Sequence, residues 1–163
     1  MDNHVHILLT PQRDNSLAKT MQKLSLRFTQ HINKKHERTG RLWECRFHSS
    51  LIDKENYLWS VCRYIERNPV RAKIVMKPSE YEWSSANITN GSNIIEDILD
   101  PAQKKEYIDY LNKIEDQEQI HKIRTHIYSG RPLGSARFID NIAKILKIDL
   151  STRPKGRPKK AEK

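Results

Sequence analysis

The sequence has little with which to enter or span a membrane. No apolar run approaches the ~18 residues that a bilayer-spanning helix requires, and no signal-peptide pattern is present. The expected location is therefore cytoplasmic. Cysteine is scarce too. Cys45 and Cys62 lack a C-x-x-C spacing, and in a reducing compartment they suggest no disulfide. Cys62 falls on an apolar helical stripe and reads as a small core residue. No internal repeat is present, which excludes a solenoid. Hydrophobic residues make up 36% and charged residues 31% of the 163 positions. That is polar for a globular chain but short of the composition of a disordered one. The length accommodates one domain with an appendage, or two small domains.

Positive charge is in excess, at +10, and it is unevenly spread. Residues 1–85 carry 15 Lys/Arg against 9 Asp/Glu, residues 86–150 carry 9 against 10, and residues 151–163 carry 6 against 1. Two basic segments flanking a neutral one point to a polyanionic partner gripped in two places. The same boundaries serve as expected domain limits: a first domain over 1–85, a helical appendage over 86–150 and a basic tail over 151–163.

Near the N-terminus lies His4-Val5-His6-Ile7-Leu8-Leu9-Thr10, a short aliphatic run that favours a strand. Alternation puts His4, His6 and Leu8 on one face, with the imidazoles about 7 Å apart along the strand. Val5, Ile7 and Leu9 are expected to enter a core. On its own the pair is also what a half-solvated strand face carries; a metal site needs support from elsewhere. Asp14-Asn15-Ser16 supplies N-cap candidates. Leu17, Met21, Leu24, Phe28 and Ile32 then mark one face of a helix to about His36, with Gly40 as a stop. Arg41 to Ile52 reads as a second strand or a pair of short ones. Asp53 caps a further helix with an apolar stripe of Tyr57, Leu58, Val61, Cys62 and Ile65, and Asn68-Pro69 ends it or starts a new turn. Asp100-Pro101 opens a helical region to Ile127, long or broken near Asp116. After the turn at 129–134, Ser135 caps a last helix.

Tyr64 and Asn68 are four apart. If the helix holds to Asn68, both project from one face. A divalent metal on His4 and His6, with Asn68 as third ligand, would polarise a phosphodiester, and Tyr64 would be an in-line nucleophile. Oxygen-rich coordination suits Mg or Mn, while imidazoles lean toward softer metals. From the residues alone Tyr64 reads more readily as a buried-edge aromatic, and Asn68-Pro69 can be simply a cap and first-turn pair.

Four stretches together carry a resemblance: Met1 to Leu9, Gly40-Arg41-Leu42-Trp43-Glu44-Cys45-Arg46-Phe47, Tyr64 through Ala72, and Tyr81-Glu82-Trp83-Ser84-Ser85. In these the chain resembles the REP-associated tyrosine transposases, single-tyrosine HUH endonucleases within the IS200-like transposase family. A looser likeness extends to Gly130-Arg131-Pro132-Leu133-Gly134 and the tail. The resemblance implies an α+β fold, a ferredoxin-like HUH domain of antiparallel sheet with helices, followed by a C-terminal helical region. It implies metal ligation by His4 and His6, with Asn68 as the third ligand, and Tyr64 as nucleophile. It implies cleavage and rejoining of single-stranded DNA at hairpin-forming palindromic repeats through a 5′-phosphotyrosine. The chain would act as a monomer or homodimer near the nucleoid. Family members carry a longer stretch before the HUH strand, so the domain is expected to be N-terminally truncated. The alternative is a catalytically inactive DNA-binding remnant.

Arg41, Arg46, Arg67 and Arg71 are the expected phosphate contacts. Trp43 and Trp83 are expected in the core. In the tail, Arg153-Pro154-Lys155-Gly156-Arg157-Pro158 resembles an AT-hook, whose arginines enter a narrow minor groove; a disordered tail gripping phosphate accounts for it equally.

Overall fold

The computed structural model describes residues 1, 3–87 and 100–150. Among them the architecture is helical. Helix α1 spans Ser16–Lys35, α2 Lys54–Glu66, α3 Asn68–Arg71, α4 Pro101–Asn112, α5 Gln117–Ser129 and α6 Ala136–Leu146, with a short 3₁₀ turn at Pro78–Glu80. The basic tail, with Arg153 and Arg157, lies outside the described residues.

Local sequence explains the starts of the last three helices, whereas α1, α2 and α3 begin without a side-chain cap. Asp100 accepts the backbone N–H groups of Ala102 and Gln103, and Gln103 answers to the N–H of Asp100, forming a capping box ahead of α4. Asp116 caps α5 through the Glu118 N–H, and Gly130 ends it at φ 67°, a conformation glycine adopts without strain. Ser135 caps α6 through the Phe138 N–H. α1 begins after Asn15 at φ 59° without a side-chain cap, and its last turn carries Lys34 and Lys35, the sign that its dipole favours. The following loop folds back on α1: the Trp43 ring lies 5.7 Å from that of Phe28, and its indole N–H donates to the Ser25 carbonyl at 3.2 Å.

The core forms where α2 meets α5. Val61 and Tyr64 from α2, Ile120 and Ile123 from α5, and Leu133 from the α5–α6 turn are buried together, with Leu8, Ile52, Tyr57, Ile65 and Ile127 packed around them. A seam joins the start of α2 to this turn. Ile52 and Leu133 form a parallel bridge, Leu133 N–H donates to the Leu51 carbonyl at 2.8 Å, and Asp53 N–H donates to that of Leu133 at 2.8 Å. The Asp53 carboxylate accepts the Ser135 N–H and hydroxyl at 3.1 Å each and the Asn56 amide at 2.9 Å. The Ser135 N–H, followed by the Asn56 amide, holds this carboxyl below its ordinary range.

Three expectations are corrected. The antiparallel, ferredoxin-like sheet is not there: among the described residues the one β pairing is the Ile52–Leu133 bridge. Residues 4–10 and 41–51 have strand-like composition but no ladder partner. A strand depends on a neighbour for its N–H and C=O groups, whereas a helix satisfies its own. The faces of residues 4–10 are also reversed. Val5, Ile7 and Leu9 are 60%, 49% and 42% exposed, while His6 and Leu8 turn toward the protein. Trp83 is exposed rather than in the core, and Trp43 is half-buried.

Candidate active site

α2 and α3 are nearly one helix. The i→i−4 pattern continues through the junction, with Arg67 N–H donating to the Arg63 carbonyl and Arg71 N–H to that of Arg67, both at 2.9 Å. Pro69, which has no N–H to give, removes one hydrogen bond from the pattern and separates α2 from α3. Tyr64 and Asn68 therefore stay one turn apart on one face, and both are buried.

The segment at residues 4–8 crosses that face. The His4 and His6 rings lie 5.0 Å apart, edge to face. The His6 ring lies 5.5 Å from that of Tyr64, again edge to face. Asn68 Nδ2 is 3.0 Å from His4 Nε2, and His4 Nδ1 is 2.7 Å from Asn3 Oδ1. These contacts agree on one tautomer: Nδ1 carries the proton and donates to Asn3, while the Nε2 lone pair accepts from Asn68. Burial above all, then the imidazole of His4 and the guanidinium groups of Arg71 and Arg124, pushes His6 down to about 4. At neutral pH the His6 imidazole is therefore uncharged and offers a lone pair, as a bound cation would require. Among the described residues no three His, Cys, Asp or Glu side chains converge. The donors brought together here are two imidazoles and one carboxamide.

Residues 1–68 match the family profile described as Transposase IS200 like. That segment, less than half of the chain, is similar to the IS200-like transposases. The likeness supports a transposase-type function on DNA. Comparison with curated proteins and with solved structures finds no match. Among the described residues no helix is long and apolar enough to cross a membrane.

The arginines divide. Arg41 and Arg46 are exposed on the segment after α1. Arg67 and Arg71 instead direct their guanidinium groups to protein acceptors, among them Glu115 and the carbonyls of Leu111 and Tyr64. Beside the imidazoles opens a cavity of about 600 Å³ lined by His4, Asn68, Trp59, Ile65, Trp83 and Glu66, among others. Glu66 is fully buried there and accepts hydroxyls from Tyr107 and Ser85, each at 2.7 Å. Cys62, on the same wall, has its thiol pushed up to about 12 by burial, so it is protonated and inert as a nucleophile.

Sequence reasoning gave no role to Glu66, Tyr107, Ser85 or Glu115. Glu66 was visible as a lone carboxylate beside the apolar stripe of α2. Its partners come from positions 19 and 41 residues away, with no local pattern to announce them.

Proposed function

We propose that this chain is a metal-dependent single-tyrosine DNA endonuclease and strand transferase acting on single-stranded DNA hairpins of palindromic repeats. The observation that carries the reading is the meeting of His4, His6, Tyr64 and Asn68, drawn from segments some sixty residues apart, on one face of α2–α3. His4 and His6 would hold a divalent cation, Mg or Mn. Asn68 would join them by turning its carboxamide oxygen inward, a rotation that exchanges its present hydrogen bond to His4 for a ligand bond. When bound, the cation supplies charge to a phosphodiester oxygen and orients it.

Tyr64 is the nucleophile. Its phenol oxygen forms the new O–P bond as the P–O3′ bond breaks. The phenol gives up its proton, and the departing 3′ oxygen takes one to become a free hydroxyl. The DNA 5′ end remains as a phosphotyrosine, and attack by another 3′-hydroxyl reverses the step and rejoins strands. Arg41 and Arg46, exposed and unburdened by burial, serve as phosphate contacts, which set position without reading sequence.

The test is covalent capture. Purified protein is incubated with a hairpin oligonucleotide and Mn²⁺, then run on a denaturing gel. The expected result is a protein–DNA adduct that survives denaturation and disappears in Tyr64→Phe. Salt-sensitive binding to a panel of hairpins with no adduct in any of them overturns the nuclease and leaves a DNA-binding remnant.

A further inference from the structure

Arg63, Arg67 and Arg71 recur at every fourth position along α2–α3, and all three reach one short segment, residues 111–115 at the end of α4 and its junction with α5. Arg63 donates to the carbonyls of Lys113 and Ile114. Arg67 Nη1 donates to the Leu111 carbonyl at 2.8 Å, and its Nε lies 3.1 Å from Glu115 Oε2, bent away from hydrogen-bond geometry, so that contact is Coulombic. Arg71 Nη1 donates to Glu115 Oε1. The other end of the Arg71 fork donates to the backbone carbonyl of Tyr64, and its Cζ stands 4.5 Å from the centroid of the Tyr64 ring.

One guanidinium is therefore held between a carboxylate from the α4–α5 junction and the aromatic ring beneath it. These are not the contacts of a solvated arginine waiting for phosphate. Both Nη atoms are engaged, and Nε is buried. The Glu115 side chain is itself only 10% exposed. Cation–π contact of this kind is directional and strengthens with desolvation. The Tyr64 ring is thus bounded by Arg71 and by the edge-to-face His6 ring.

We propose that Glu115 and Arg71 are positioning residues for the Tyr64 phenol: Glu115 fixes the guanidinium, and the guanidinium fixes the ring angle at which the phenol meets the phosphodiester. The C-terminal helices are then part of the cutting apparatus through one carboxylate. This inference rests on the reading of Tyr64 as nucleophile.

The experiment uses the full chain, a hairpin oligonucleotide and Mn²⁺. It reads two quantities separately: the single-turnover rate of adduct formation at saturating DNA, and the DNA dissociation constant by fluorescence anisotropy. Small misplacement of a reacting group costs up to about 100-fold in rate, so Glu115→Ala is expected to slow adduct formation about 10- to 100-fold, with the dissociation constant unchanged. Glu115→Gln keeps an acceptor for Arg71 and is expected to retain most of the rate. Arg71→Lys keeps the charge but not the fork, and should match Glu115→Ala; combining the two should add little, because they break one link. If Glu115→Ala does not melt cooperatively, Glu115→Asp, which draws the carboxylate back by one methylene, takes its place with the same expectation. An unchanged rate, an effect confined to the dissociation constant, or multiplying single effects overturns the inference while wild-type adduct still forms. Absence of adduct in the wild type sinks the nuclease reading itself, and the inference with it.

Discussion

Replacing Glu66 by glutamine tests how α2 is held against α4. The side chain is 1% exposed, and its two hydrogen-bond partners are hydroxyls, not cations. Burial raises its carboxyl above the ordinary value of 4.5, and the hydroxyls of Tyr107 and Ser85 pull the other way without cancelling it. The sign follows from linkage. The folded state holds this proton more tightly than the unfolded state, so the contribution is complete below the unfolded value and is lost as pH rises through the folded one. Glutamine cannot ionise, and its amide keeps an acceptor for one hydroxyl and a donor for the other. Thermal melts followed by circular dichroism at pH 5, 6, 7 and 8 should show Glu66→Gln gaining on the wild type as pH rises. One proton sets the ceiling at about 1.4 kcal/mol per pH unit within the titrating window, or roughly 3–6 °C per unit for a chain of this size. Glu66→Ala behaves differently: it strands two hydroxyls at a cost of about 1–3 kcal/mol each, at every pH. Should the wild type gain on Glu66→Gln with rising pH, the carboxylate would have a charged partner, and the account of this node would be wrong.

A methyl group at Gly134 would stand 2.3 Å from Phe138 Cδ1 and 2.8 Å from Asp53 Cβ. Gly134→Ala is therefore expected to destabilise the chain by about 1–3 kcal/mol in urea unfolding; an unchanged midpoint would show that the seam tolerates displacement. Mn²⁺ binding, followed by electron paramagnetic resonance, is expected to weaken about tenfold or more in His4→Ala and in His6→Ala, and undiminished binding would remove the imidazole pair as the cation's seat.

Local signals were legible where a segment answers to itself. Asp100 and Ser135 were readable as caps and act as caps; of the two readings left open for the helical region, the broken one holds, with Asp116 at the start of α5. The four-residue spacing of Tyr64 and Asn68 placed them on one face because the hydrogen-bond pattern runs on through Arg67. Strand composition at residues 4–10 was equally visible, but a strand is completed by a neighbour, and none pairs with it among the described residues. The same limit hid Glu115. The arginine spacing at 63, 67 and 71 stands in the sequence, yet a periodic basic face reads as solvated until its partner is seen. Here the partner belongs to an irregular junction some forty residues on.

The seam between residues 51–53 and 133–135 carries a consequence for biosynthesis. Asp53 and Ser135 are 82 positions apart, so most of the chain must leave the ribosome before they can meet. Until then the inner face of α2, with Val61 and Tyr64, has neither Ile123 nor Leu133 to cover it. During translation that greasy surface is open to chaperones, or to other nascent copies, for longer than the N-terminal position of the helix would suggest.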